Sequence, residues 1–551
     1  MLDEIAAIKT KADLQRVIGH LHDLGLAVPF GLQAAQDLHD PTQIVAHLGA
    51  GGLGLPDRDY YLKPEKRFVE AREKYHEHVT KMFELVGVKH DVAAANAKTV
   101  FAFEKRLAEA SLDNVALRDP KQQDHKTKFI DLGKSVPDFD WAMYFDAAKM
   151  PKQDVNVTQP KFLAQFETEL KSTPVAQWKT YLQWLVLHTA ADALAAPFVE
   201  ENFAFTKTLT GAKEMKPRWK RCAESTDNQV GEALGQKYVE KYFPPEAKAR
   251  MLDMVKNIQL AMQDTINGLD WMTPETKKKA LEKLSTFTRK IGYPDKWKDY
   301  AGVTVTRDSY WDDVVSASKW NVTDNRSQIG KPVDKGRWGM TPPTSNAYYN
   351  PFLNEIVFPA GILQPPAFDV GGTDAVNYGA IGVVIGHEIT HGFDDQGSQF
   401  DAKGALSNWW TPQDKEKFTA RAQCVVNQFE GYFIEPGIHH NGKLVLGESI
   451  ADLGGAKLAY LAYKKSREGK APEPTIDGFT PEQQFFIAWG QWRGDEIRPE
   501  TQRTMVQGDP HPIAKYRVNG PLSNLPAFKE TFQCKDDSAM VRKAAERCEV
   551  W

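Results

Sequence analysis

The run YGAIGVVIG, Tyr378 to Gly386, is small and apolar almost throughout and leads directly into His387-Glu388-Ile389-Thr390-His391. A helix of this composition has no polar face to offer to water, so it folds only as a buried element and takes two imidazoles and a carboxylate inside with it. Residues four apart share a helix face, so His387 and His391 can reach one metal ion with Glu388 beside it. Zinc takes imidazole nitrogen readily in such surroundings. A five-residue pattern also arises by chance in a chain of 551 residues. It therefore needs a third ligand and an open coordination position before it means a catalytic centre.

GESIADLGGAKLAY, Gly447 to Tyr460, supplies the candidate. Glu448 and Asp452 stand four apart on one helix face among small and apolar residues, a costly place for two acids without partners. Glu448 can ligate. Asp452, one turn on, can accept the free ring N–H of a ligating histidine and fix its tautomer. Alone, the two acids also fit an exposed capping turn at a helix start.

The composition, 42% hydrophobic and 26% charged with net charge −4, is that of a folded chain large enough for two domains or one two-lobed unit. Lys and Arg gather into no basic stripe, which argues against nucleic acid as a partner. The longest apolar candidate, Trp184 to Val199, contains His188 and Asp192 and reads as a core helix, not a membrane span. The N-terminal residues include acids and no apolar core, unlike a signal peptide. Four cysteines, Cys222, Cys424, Cys534 and Cys548, are too few and too scattered for a disulfide scaffold or a paired zinc knuckle.

Apolar spacing predicts helices over Lys11–Leu26, Phe68–Val86, Val92–Ser111, Pro160–Lys171, Trp178–Pro197 and Glu246–Leu269, with a Gly- and Pro-rich loop at Ala50–Leu62. Another helix starts at Thr273-Pro274, in N-cap and first-turn positions. The Lys-rich run Thr276–Lys283 reads as a solvated helix face. Gly302–Asp308, Ser345–Tyr349 and Glu355–Phe358 are β-branched or aromatic between turn residues and predict a small sheet. His439-His440, just before Asn441-Gly442, read as a hairpin tip.

HEITHGFDD together with GESIADLGG closely resembles the neprilysin and endothelin-converting-enzyme family of zinc metallopeptidases, of gluzincin type, whose second motif is typically ENxADxGG. Ser449 replaces the usual Asn, at a position that is not a ligand. GLPDRDYY (54–61), WMTPETKKKA (271–280), IGYPDKW (291–297), NAYYNP (346–351), EIVFPAGILQPP (355–366) and the end from Cys548 to Trp551 extend the likeness over nearly the whole chain.

The resemblance implies a mainly α fold with a small β-sheet and two lobes around a central cavity that screens out folded proteins. A thermolysin-like catalytic lobe would combine residues 1–145 and 306–551, and an all-helical lobe would span 146–305. It implies a zinc endopeptidase for oligopeptides, cleaving on the amino side of large hydrophobic residues. One zinc ion per chain would sit on His387, His391 and Glu448, with Glu388 as general base and Asp452 behind the ligands. Asn346 and Ala347 would bind the substrate backbone along a strand edge. His511 would stabilise the oxyanion, and Arg517 would contact a substrate carbonyl. Val384 would line the pocket for the residue after the cleaved bond, with Phe368 and Trp492 as further candidates for that wall; the spacing around QWRGDEIRPE departs from the family. Without the resemblance, Asn346 reads equally as a turn residue and His511 as a loop residue. Asp394 is a candidate to orient His391.

Cys424 and Cys548 match a bridged pair of the family, whereas the family partners of Cys222 and Cys534 would lie upstream of Met1. The expectation is thus a bacterial, N-terminally shortened, secreted or periplasmic monomer with no membrane span in this chain. An exopeptidase would need a charged anchor for a substrate terminus, and the sequence offers no such signature. A peptide-binding protein with an inert zinc site would call for loss of Glu388, His511 or Arg517, and all three are present.

Overall fold

The computed structural model describes residues 1–26 and 28–551. The described residues are mainly helical with small sheets, as the sequence predicts, and form two compact units: Met1–Ser225 with Asp299–Val333, and Thr226–Lys298 with Asp334–Trp551.

In the first unit, helices Lys66–Leu85 and His90–Ala110 bury Phe68, Tyr75, Val79, Met82 and Val100, Phe103, Leu107 at three-to-four spacing. Helix Val175–Ala190 packs into the same core through Trp178, Tyr181, Leu182 and Trp184, so the apolar segment Trp184–Val199 is a core helix only in its first half; the helix ends at Ala190, and after a turn at Ala191–Ala193 a separate helix starts at Ala196. No single helix among the described residues is long and apolar enough to cross a membrane. Leu132 to Phe145 share one core with Val155 to Leu187. The first unit also carries a four-stranded sheet. Strands β1 (Phe30–Gln36) and β2 (Ile44–Ala50) pair antiparallel, and β2 runs parallel to β4 (Val155–Val157), with β3 (Lys126–Thr127) outside it.

Glu104 lies at the centre of this core, fully buried, and accepts hydrogen bonds from Tyr61 Oη (2.9 Å), Tyr75 Oη (2.8 and 2.9 Å) and Trp184 Nε1 (3.1 Å). Burial pushes its carboxyl up to about 8 although Tyr75, Tyr61 and Trp184 pull it down. The folded state therefore keeps a proton that the unfolded chain releases near its ordinary value of 4.5. Stability contributed at this site is intact below that pH and declines as pH rises toward 8, by on the order of 4 kcal/mol in the limit. The melting temperature is expected to fall between pH 5 and pH 9, and Glu104→Gln to flatten that fall; an unchanged pH slope in the variant would count against the assignment.

The second unit holds helices Pro245–Gly268 and Pro274–Ser285 and a three-stranded sheet in which β7 (Glu355–Pro359) lies between β5 (Thr288–Gly292), parallel, and β6 (Tyr348–Asn350), antiparallel. Strand β6 is thus a sheet edge. The strand expected at Gly302–Asp308 does not form, because Thr304 N donates to Ser316 Oγ (2.8 Å) and Thr306 N to Asp313 Oδ1 (2.7 Å) of the following helix. Thr273 occupies the predicted N-cap position, yet its hydroxyl caps no backbone N–H of the helix; it donates to buried Asp414 Oδ2 (2.5 Å), with a longer contact to Thr276 Oγ1 (3.4 Å). The Lys-rich face also differs from expectation: Lys283 is buried, and its ammonium donates to the carbonyls of Gly392 (2.7 Å), Gly397 (2.7 Å) and Phe400 (2.8 Å). Cys424 and Cys548 are disulfide-bonded, tying the chain end to helix Pro412–Glu430, and Cys222 and Cys534 form no disulfide among the described residues.

Candidate active site

Helix Val383–His391 is entered through one wide turn, Tyr378–Gly382, and is buried up to Thr390. Helix Leu446–Ser466 crosses it glycine on glycine. A Cβ on Gly386 would stand 2.8 Å from Gly455 Cα, and one on Gly455 would stand 2.6 Å from Val383 O. Any side chain there would push the helices apart, so the backbone contact itself delivers Glu448 to the histidines.

His387 Nε2 and His391 Nε2 are 2.9 Å apart, Glu448 Oε2 lies 3.3 Å from the first, and Glu448 Oε1 lies 3.5 Å from the second. Tetrahedral zinc at ordinary bond lengths sets its ligand atoms about 3.3 Å apart, so this donor set fits a zinc ion and leaves a fourth position for a non-protein ligand. The far ring nitrogens are also engaged. Asp394 Oδ2 stands 2.6 Å from His391 Nδ1, the partner expected for it. Asp452 Oδ1 stands 2.9 Å from His387 Nδ1, off the line of a straight hydrogen bond. Carboxylates behind the ligands fix ring orientation and raise ligand basicity.

The charges of this cluster perturb one another. Burial opposes ionisation of Asp452, but Arg517 and His387 overcome it and hold the carboxyl below the usual range. Burial likewise pulls His391 down while Glu448 and Asp394 push it up, to about 10. Glu388 is raised by burial, against the pull of His387 and His391. Arg517 donates through Nε to Asp452 Oδ2 (2.7 Å) and through Nη2 to Asp452 Oδ1 (2.8 Å) and Glu448 Oε2 (3.2 Å).

His511 Nε2 approaches Glu448 Oε2 at 3.2 Å, and its Nδ1 bonds Asp509 Oδ1 at 2.7 Å. Its loop is pinned from behind, where Ile513 N donates to His440 Nε2 at 3.0 Å. This corrects the reading of His439-His440 as a hairpin tip. Pro436-Gly437 makes the turn, His439 lies in the returning strand against Phe433, and His440 is fully buried.

A cavity of about 400 Å³ gathers His387, Glu388, His391, Glu448, His511 and Arg517 with Asn346, Ala347 and Val384, so the predicted site residues other than Asp452 line one space. Asp452 lies just behind it, fully buried. Trp492 and Ile362 share the wall with Val384, whereas Phe368 is buried and absent from the lining. Sequence reasoning missed Ile362, Arg493 and Asp509; for Asp509, its place two residues before a candidate histidine was the available signal.

Two profiles of peptidase family M13 match residues 1–294 and 346–548. The chain belongs to peptidase family M13. As an M13 member it is 34% identical to Neprilysin-3 of Drosophila melanogaster over 545 residues, covering 95% of this chain and 69% of that protein. It is also 34% identical to an endothelin-converting enzyme homolog of Locusta migratoria over 543 residues, covering 95% and 74%. Its fold matches the inhibitor complex of zinc metalloprotease ZMP1 from Mycobacterium tuberculosis with a TM-score of 0.96 and 37% identity, covering 100% of this chain and 84% of that one. PepO from Lactobacillus rhamnosis matches at 0.91 and 28%, covering 100% and 86%. This M13 chain is a zinc metalloendopeptidase.

Proposed function

We propose that this M13 peptidase hydrolyses oligopeptides on the amino side of large hydrophobic residues, with one zinc ion per chain held by His387, His391 and Glu448 and with Glu388 as general base. The carrying observation is that the three ligand atoms lie within 4.8 Å of one another in residues that line one cavity with Glu388. When bound, the ion supplies a Lewis acid that polarises the scissile carbonyl and acidifies water.

Glu388 takes the proton of the attacking water and passes it to the leaving amine. A carboxyl raised by burial suits both halves of that transfer, since it neither holds the proton too weakly nor binds it permanently. Asp509 holds Nδ1 of His511 and so leaves Nε2 turned toward Glu448 and the cavity. His511 would donate to the oxygen that becomes negative in the transition state, a contribution on the order of 3 kcal/mol for a donor of this kind. Arg517, held rigid by two bonds to Asp452, presents its remaining donors to a substrate carbonyl.

Asn346 and Ala347 lead into β6, whose free edge supports an extended peptide lying alongside as an added strand. Val384, Ile362 and Trp492 form the apolar wall that would receive the residue after the cleaved bond. The Cys424–Cys548 bridge supports an oxidising compartment, hence secretion or a periplasmic location. Every residue named belongs to one chain, which supports action as a monomer.

Incubation with a mixed oligopeptide library is expected to yield products with new N-termini rich in Phe, Leu, Ile and Met. A zinc chelator should stop cleavage and added zinc restore it. Chelator-insensitive cleavage, or new N-termini without an apolar bias, would overturn the reading.

A further inference from the structure

One cation in the cavity wall is left unused by this chemistry. The other basic groups there have partners: Arg517 holds Asp452 and Glu448, Asp452 stands by His387, Asp394 holds His391, and Asp509 holds His511. Arg493, the residue that follows helix Pro481–Trp492, lines the same cavity, and its guanidinium packs over the Trp489 ring at 5.0 Å from the centroid. Its Nε is buried without an acceptor, and so is Nε1 of the adjacent Trp492. Among the described residues no carboxylate forms a hydrogen bond or close ion pair with it; Asp452, Glu448 and Asp495 act on it only through space, and Arg517 repels it. Burial and that repulsion lower its affinity for the proton only to about 10, so it stays charged at neutral pH.

A guanidinium that is always charged, partly desolvated and without an acid partner is costly to keep unless something supplies an anion. Its planar face is already held by Trp489, which preorganises the donor edge and reduces the entropy lost when an acceptor arrives. We propose that Arg493 is a specificity-determining residue that receives a carboxylate of the bound peptide, from an acidic side chain or from a free C-terminus. The proposal deepens the oligopeptidase reading above and rests on it. The wall would then read two features of a substrate, an apolar side chain at Val384, Ile362 and Trp492 and a negative charge at Arg493, and it contains a charged anchor that the sequence did not disclose.

The test uses paired peptides around one cleavage site. One pair differs by Glu against Gln at each flanking position, and the other by a free C-terminal acid against its amide. The quantity read is the ratio of kcat/KM within a pair, which a general loss of activity does not move. The same pairs are titrated by calorimetry against Glu388→Gln and Glu388→Gln/Arg493→Ala, which reads the ratio of Kd without turnover. Wild type is expected to prefer the carboxylate form of one pair by about tenfold, the usual size of one charge-assisted hydrogen bond. Arg493→Ala should bring that ratio close to one, and Arg493→Lys, which keeps the charge, should retain part of it. A preference confined to the Glu pair assigns the side-chain source, and one confined to the acid–amide pair assigns the C-terminus. Ratios near one in wild type, or ratios that survive Arg493→Ala, overturn the proposal. Failure of the oligopeptidase reading shows separately, as absence of apolar-directed cleavage in either pair.

Discussion

Glu388→Gln is expected to lower kcat by about 10²- to 10⁴-fold while the protein still binds zinc with near wild-type affinity. The amide occupies the same volume beside His387, supplies none of the three ligand atoms, and cannot accept a proton from water. Turnover measured alongside metal content separates the outcomes. A variant that keeps full activity removes Glu388 from the proton path, and one that loses its zinc makes the carboxylate a support of the metal centre instead.

The second large effect is expected at Asp452, which lies within bonding distance of three N–H groups: Arg517 Nε at Oδ2, and Arg517 Nη2 and His387 Nδ1 at Oδ1. Asn offers only one oxygen, so Asp452→Asn turns an amide NH₂ toward at least one of those donors. Zinc affinity should drop by about 10- to 100-fold, the usual cost of losing a carboxylate behind a ligating histidine. Stability should also fall by about 3–5 kcal/mol, because Arg517 loses the charge of its buried partner and one of its two bonds to residue 452. Competition titration with a zinc chelator and thermal melting check the two parts. Unchanged zinc affinity with a lowered melting temperature would restrict Asp452 to holding Arg517.

The site was more legible in the sequence than the units around it. His387, His391, Glu448 and Asp452 are candidates from helical spacing, since burying four such groups among glycines and alanines is costly without a purpose, although each motif by itself leaves another explanation open. Asn346, Ala347, His511, Arg517 and Val384 carried no such local signal and came from the family resemblance; the fold brings them to the same cavity. Arg493 was hidden because a cation at a helix C-terminus, followed by Asp495 and Glu496, looks like an ordinary solvated end. Only the three-dimensional arrangement shows that neither acid pairs with it. Strand β1, FGLQAAQ, lacks both β-branched residues and an alternating burial pattern, and its pairing with β2 is visible only through the register. The grouping of helices around each core is hidden for a related reason. Helices on either side of residue 145 have similar amphipathic patterns, and which of them share a core depends on contacts that no local pattern encodes.

Lys283 carries a consequence beyond its place in a helix. Its ammonium sits among three carbonyl oxygens at 2.7–2.8 Å, as a bound potassium or ammonium ion would, and those carbonyls belong to the segment that follows the ligand helix and contains Asp394. Beside the proposed zinc site, whose ion would be exchangeable, the enzyme thus carries a cation tethered to the polypeptide by a covalent stem. Stripping the zinc with a chelator leaves the tethered cation in place, so the turn that aims Asp394 at His391 should outlast demetallation, and the apoenzyme should recover metal at the rate of ion entry instead of the rate of refolding.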